Sequence, residues 1–395
     1  MSNLPARSVE GTATARSTVA VLRCGSYDPN AVREAVGRGL TLLGGPERFV
    51  APSERILLKP NLLVPRPAER AVTTHPAVFR AVAEALREAG AEICYGDSPG
   101  FGSTAWVARR AGLADVAEEL GIPLGEFGAS ETVSFPEGHL IKQFTLARGA
   151  LDADGIVSLP KLKTHGLTRI TGAIKNQFGC IVGPLKPEFH ARLPNVDLFS
   201  QMLVDLNRYL APRLYVMDGV VAMEGNGPQG GAPREMGVIL MSTDPVALDA
   251  TVCRLIDLDP ALVPPLVYGE AFGLGRTAEI DWVGDPIDEF VAPDFDVNRA
   301  PRSTAEHSAA GWRSRLLRRL VVPRPVIRPE RCTRCGTCVD VCPVAPKAVA
   351  FADEARSCPP VHRYERCIRC YCCQEMCPEE AIEIETPLLG RLIPR

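Results

Sequence analysis

The chain has 395 residues, of which 46% are apolar and 23% charged, and a formal net charge of -3. This length suits two or three domains of ordinary globular composition, and the near-balanced charge excludes a globally basic nucleic-acid binder. No apolar run approaches the roughly 20 residues that span a bilayer, so a cytoplasmic protein is expected.

Residues 1–17, "MSNLPARSVEGTATARS", lack the apolar core of a signal peptide and read as a polar, disordered tail. From 18 to 285, apolar strands ending in polar residues alternate with helical patterns. "RILLKPNLL" carries Lys59 and Asn61, and "AEICYGDSPG" carries Asp97 and Ser98. "GIVSLPKLKTH" ends in Lys161, Lys163 and His165; "LYVMDGVV" carries Asp218; "GVILMSTDPVALD" carries Asp244 and Asp249. The helical patterns include His75 to Gly90 and Ser103 to Gly121. This alternation predicts an α/β fold, a parallel or mixed sheet with helices on both faces. In such sheets ligands bind beyond the carboxyl ends of the strands. Charge gathered at those ends predicts a shared site, although Asp97, Ser98 and Asp244 also suit helix caps.

The stretch from Gly155 to Pro187 has no acidic residue, yet it holds Lys161, Lys163, Arg169, Lys175 and Lys186, with His165 and Asn176 among them. Unpaired cations beside a buried strand are costly unless something negative meets them. The expectation is an anionic small molecule, carboxylate or phosphate. A solvated basic face, or docking against anionic clusters, would also account for the charge. Gly172, Gly179 and Gly183 are expected to permit close backbone approach.

"EGNGPQGG" (Glu224 to Gly231) contains G-x-G-x-x-G, but the following "REMGVILMS" reads as a strand where a dinucleotide site needs a helix. A flexible active-site loop is expected there. Residues 286–327 read as a linker. Within it, 309–322 form a basic amphipathic pattern with Trp312, Leu316, Leu317 and Leu320 apolar. This is either a packed linker helix with solvated arginines or a peripheral contact for an anionic membrane surface.

Ten of the fourteen cysteines lie between Cys332 and Cys377. "CTRCGTCVDVCP" and "CIRCYCCQEMCP" both follow C-x2-C-x2-C-x3-C-P and repeat at an interval of 35 residues. In this run three thiolates on a tight loop take three corners of one cubane, and the fourth cysteine reaches the other cubane. Cys332, Cys335, Cys338 and Cys377 are therefore expected to hold one [4Fe–4S] cluster, and Cys367, Cys370, Cys373 and Cys342 a second. Zinc sites favour four ligands in pairs rather than interleaved quartets. Cys358 and Cys372 are surplus. Residues 328–395 are thus expected to form a small α+β, ferredoxin-like two-cluster domain.

The segments "LLKPNLL", "GDSPG", "LPKLKTH", "GAIKNQFG", "DGVVAMEGNGPQGG" and "STDPVALD" resemble the domain of unknown function 362 family, often fused to a ferredoxin module. The resemblance covers most of Arg55 to Arg254. It implies an iron–sulfur protein with an α/β domain, and a signature of Lys59, Asn61, Asp97, Lys161, Lys163, His165, Lys175 and Asn176.

Together these readings predict an iron–sulfur reductase. His165, Lys161 and Lys175 are the candidate catalytic groups. Lys59, Asn61, Asp97, Lys163, Asn176 and Lys186 are the candidate substrate ligands. Electrons would pass from two clusters to an anionic substrate, reducing an activated double bond or carbonyl. No motif calls for a flavin, although one would suit the space between clusters and substrate. A redox donor or acceptor protein is expected as partner, and no nucleic acid. The alternatives are a non-catalytic electron-transfer or assembly subunit, and a non-redox carboxylate enzyme with structural clusters.

Overall fold

The computed structural model describes residues 16–301 and 321–387. The first fifteen residues of the expected tail and most of the basic pattern at 309–322 lie outside the described residues. In chain order the first elements are β1 (Ser17–Arg23), α1 (Pro29–Leu42), β2 (Arg55–Pro60), α2 (Pro76–Glu88), β3 (Glu92–Tyr95), α3 (Thr104–Arg110) and α4 (Leu113–Glu119). There follow β4 (Ser130–Ser134), β5 (Gln143–Ala147), α5 (Arg148–Leu151), β6 (Gly155–Leu159), β7 (Lys161–His165), β8 (Arg169–Ile170), α6 (Gly172–Asn176), α7 (Lys186–Arg192) and α8 (Val196–Leu210). The α/β body closes with β9 (Leu214–Glu224), β10 (Ala232–Ser242), α9 (Pro245–Leu255), α10 (Pro264–Ala271) and β11 (Ile280–Gly284).

The main sheet runs β11-β1-β10-β9-β6-β2-β3, with β7 on β9 and β8 on β7. The β2–β3, β2–β6, β6–β9, β7–β9 and β1–β11 pairs are parallel, while β10 is antiparallel to both β1 and β9. Strand β2 is buried along nearly its whole length, which its unbroken apolar run requires when both faces are covered. Its side chains alternate between two cores. Ile56 and Leu58 pack with α1, α2, α3 and α4, whereas Leu57 packs with the layer containing α6, α8, α9 and α10.

Helix α2 starts where Pro76 supplies a preset φ at the first position and His75 Nδ1 accepts the Ala77 N–H at 3.1 Å. The pattern from Ser103 to Gly121 is two helices, not one. Gly112 sits at φ 78° between them, in the left-handed region that an α-helix cannot continue through.

Three boundaries differ from expectation. Ser17 already belongs to β1. Phe290, Phe295 and Val297 are buried in the core of the α/β body, so the start of the expected linker is part of that body. Its end forms β12 (Arg324–Ile327), which pairs antiparallel with β15 (Ile382–Glu385). Between them lie α11 (Thr337–Asp340), β13 (Val349–Ala350), β14 (Val361–His362) and α12 (Cys372–Glu375), a small α+β unit.

Candidate functional site

The parallel strands β2, β3 and β6 end on one edge of the sheet, and a polar network lies across it. Lys59, at the end of β2, is fully buried, and its Nζ lies 2.9 Å from Asp97 Oδ1. Asp97 Oδ2 accepts the Leu62 N–H at 2.7 Å. Asn176, at the end of α6, accepts from Asn61 Nδ2 at 3.0 Å and donates to Ser158 Oγ at 3.0 Å. Gly179 is needed here: a Cβ would stand 1.6 Å from Asp97 Oδ1. Gly172, at φ 62°, lets α6 begin against Asp249, which accepts the Ala173 and Ile174 N–H groups at 2.6 and 3.1 Å. Nothing comparable constrains Gly183.

Above this network lies a cavity of about 750 Å³. From the α/β body it is lined by Asn61, Asp97, Lys163, Lys175, Asn176 and Lys186, with Leu62, Leu63 and Phe178 as apolar wall. From the cysteine unit it is lined by Val341, Cys372, Glu375 and Met376. Six of the nine expected site residues therefore meet in one place. Asn61 Oδ1 and Thr171 Oγ1, both on lining residues, are buried and have no hydrogen-bond partner among the described residues, a state that buried polar atoms rarely keep without a ligand or water. Lys186 Nζ donates to the carbonyl oxygen of Ser98, and burial lowers its pKa to about 8.

Lys59, Lys161 and His165 do not line the cavity. Lys161 is fully buried and pairs with Asp218 at 2.7 Å, while Tyr27 Oη lies 2.8 Å from its Nζ. This follows from pairing: β7 lies beside β9 with Lys161 opposite Asp218. Asp244, two residues past the end of the antiparallel β10, caps α9 through Val246 and Ala247.

His165 Nδ1 accepts the Leu167 N–H at 3.0 Å, which leaves the proton on Nε2, 2.8 Å from Glu375 Oε1 but outside hydrogen-bonding geometry. Burial lowers the His165 pKa to about 4, with Lys175 adding to the shift. Burial alone would raise the Glu375 pKa, but His165 and Lys175 outweigh it and hold the carboxylate below its usual range. The pair is a neutral imidazole in close contact with a carboxylate.

The hairpin loop at "EGNGPQGG" is a clamp on the cysteine unit rather than a free active-site loop. Gln229 Nε2 donates to the Cys377 carbonyl at 2.6 Å, Asn226 Nδ2 to the Ile382 carbonyl at 3.1 Å, and Gln374 Nε2 to the Asn226 carbonyl at 3.0 Å. Arg70 adds an ion pair to Glu380 at 2.8 Å. Only Pro228 of this loop reaches the cavity. The amide spacing in the loop was its one legible signal, since Asn and Gln side chains suit backbone partners.

Two smaller cavities lie within the cysteine unit. One, about 330 Å³, is lined by Cys332, Cys335, Cys338 and Cys377; the other, about 320 Å³, by Cys342, Cys367, Cys370 and Cys373. Four convergent thiols around each space suit an iron–sulfur cubane in donor type and number. Cys358 is exposed and lines neither, and Cys372 is buried on the wall of the large cavity instead.

The family model of the domain of unknown function DUF362 matches residues 56–254, and that of a 4Fe-4S dicluster domain matches residues 324–378. The thylakoid-associated protein sll1697 of Synechocystis sp. is 38% identical over 305 residues, covering 73% of this chain and 94% of its own length. Among solved structures, the lactate racemase apoprotein from Thermoanaerobacterium thermosaccharolyticum aligns with a TM-score of 0.40 at 11% identity over 64% of this chain. The chain spans 58% of that structure's length. Among the described residues no helix is long and apolar enough to cross a membrane.

Proposed function

This chain belongs to the DUF362 family and carries a 4Fe-4S dicluster domain, and from that premise we propose an iron–sulfur oxidoreductase acting on an anionic small molecule. Cys332, Cys335, Cys338 and Cys377 would hold one [4Fe–4S] cluster, and Cys342, Cys367, Cys370 and Cys373 a second. Such clusters supply electrons one at a time at low potential.

One observation carries the reading: a single cavity has cations from the α/β body on one wall and the chain neighbours of cluster cysteines on the other. Val341 precedes Cys342, Cys372 precedes Cys373, and Met376 precedes Cys377. Lys175 and Lys186 would hold a carboxylate or phosphate, and Asn61 Oδ1 would accept from a ligand hydroxyl or amide. The apolar wall of Leu62, Leu63 and Phe178 would exclude water and strengthen each of these contacts. Lys175 has no carboxylate partner among the described residues and is our proton donor. The substrate would be an activated double bond or carbonyl. A flavin is not part of the proposal, and a cytoplasmic location and a protein redox partner are.

Reading the chain as a non-catalytic electron-transfer or assembly subunit would favour lysines spread over an exposed plane. Lys161 and Lys163 are instead buried, and Lys163, Lys175 and Lys186 line a concave site. The test is reoxidation of dithionite-reduced holo-protein by small unsaturated carboxylates and phosphates under anaerobic conditions.

A further inference from the structure

Three lysines on β2 and β7 are buried: Lys59, Lys161 and Lys163. Two are matched to carboxylates, Lys59 to Asp97 at 2.9 Å and Lys161 to Asp218 at 2.7 Å. Lys163 is not. Its Nζ donates to the Val72 carbonyl at 2.6 Å, and among the described residues no carboxylate forms an ion pair with it. Of the three, Lys163 alone lines the large cavity.

An ammonium removed from water without a counter-ion is unstable relative to the amine. Burial drives the Lys163 pKa well below its ordinary value and the nearby Lys175 cation drives it further, outweighing the opposing Glu375 and Asp97 carboxylates, neither of which pairs with it. A neutral amine with one hydrogen engaged by Val72 keeps a lone pair for the cavity. Desolvation beside a second cation is a general way of activating lysine toward carbonyls.

We propose that Lys163 is a carbonyl-capturing nucleophile whose amine condenses with the keto or aldehyde group of an oxo acid held by Lys175 and Lys186. The amine nitrogen adds to the carbonyl carbon. The oxygen then leaves as water, carrying one amine hydrogen and one proton from the Lys175 ammonium. A carbon–oxygen double bond is broken, a carbon–nitrogen double bond is formed, and no electron is gained or lost. The product is an iminium on Lys163.

This inference rests on the proposed function and narrows it. Two-electron reduction at the iminium carbon would leave the lysine alkylated and end turnover. The bond reduced is therefore a carbon–carbon double bond conjugated to the iminium, which would take up two electrons supplied by the iron–sulfur domain and two protons from water, by way of a reprotonated Lys175. Hydrolysis then returns the amine. The substrate class is an α,β-unsaturated oxo acid.

The experiment treats anaerobic holo-protein with glyoxylate, the smallest oxo acid, and cyanoborohydride, then maps modified lysines by peptide mass spectrometry. Lys163 should carry on the order of tenfold or more adduct relative to the exposed Lys142 and Lys347, because its neutral fraction is larger. Lys163→Met, an apolar side chain of similar length, should lose that adduct while keeping its iron content. Labelling of the exposed lysines with Lys163 untouched overturns the proposal. A second arm mixes the reduced protein with 2-oxo-3-butenoate, follows cluster absorbance, and traps parallel samples with cyanoborohydride during the reaction so that any iminium is kept as an adduct. Reoxidation without any adduct at Lys163 rejects the iminium and spares the redox reading. An adduct at Lys163 without reoxidation supports the iminium and rejects the redox reading.

Discussion

His165 Nε2 lies 2.8 Å from Glu375 Oε1, joining the end of β7 to the last residue of α12, between Cys373 and Cys377. Both groups are buried, and His165 Nδ1 is already committed as an acceptor. The contact makes the cysteine unit part of the cavity wall, because Glu375 itself lines that wall.

Removing this contact should loosen the two bodies. Truncating a buried side chain that packs across such a contact costs about 0.5–3 kcal/mol, so His165→Ala should lower unfolding free energy by roughly that amount. Denaturant titration of holo-protein measures it. No change in stability would mean that the clamp formed by Gln229, Asn226 and Arg70 carries the interface alone.

Lys161 should matter for stability and not for substrate. Lys161→Met leaves Asp218 buried without its cation, which costs about 3–5 kcal/mol. Tyr27 Oη and the His75 N–H, at 2.8 and 2.9 Å, offset part of this. The affinity of folded variant for an anionic ligand should be unchanged within about twofold, since Lys161 does not line the cavity. A large loss of affinity in folded variant would restore Lys161 to the site.

How the lysines are partnered was the least legible part of the sequence. The acid-free stretch from Gly155 to Pro187 displays its cations, but Asp97 and Asp218 lie far away in the chain and reach Lys59 and Lys161 only through strand pairing. The antiparallel insertion of β10 was equally hidden, because a strand buried on both faces has the same apolar run in either direction. Asp244 was legible as a helix cap and is one. The cysteine quartets were legible because their spacing is itself geometry: the two cavities collect the expected sets. The large cavity was half legible, since Lys163, Lys175 and Lys186 display their charge in the sequence, whereas Val341, Cys372 and Met376 reach it only by docking of the cysteine unit.

Interleaving of the cysteines gives a sharp prediction. Cys373 and Cys377 are four residues apart yet line different cavities. Anaerobically reconstituted Cys377→Ala should lose the cluster of Cys332, Cys335 and Cys338, and iron should fall from about eight to about four atoms per chain. Cys373→Ala should lose the other, with a distinct reduced-state spectrum. Equal spectra from the two variants would refute the assignment.

Lys186 predicts a pH dependence with a definite sign. Its pKa is lowered by burial from 10.5 to about 8, so the folded chain holds fewer protons than the unfolded chain between these values. Its contribution to stability therefore rises with pH across that window. Binding of an anion needs the charged form, so affinity should fall as pH rises through about 8. Lys186→Met should weaken binding about tenfold or more at pH 7, equivalent to at least about 1.4 kcal/mol, and remove the Lys186 component of the pH dependence. Affinity that is flat from pH 7 to pH 9 would contradict this.

The most direct measurement is the rate at which dithionite-reduced holo-protein is reoxidised, without oxygen, by α,β-unsaturated oxo acids in wild type and in Lys175→Met. The account predicts saturable reoxidation in wild type, with the double bond reduced in the product. It predicts a loss of about tenfold or more in the variant while cluster content is unchanged. Reoxidation that is non-saturable and equal in both proteins, or clusters that stay reduced in wild type, would contradict it.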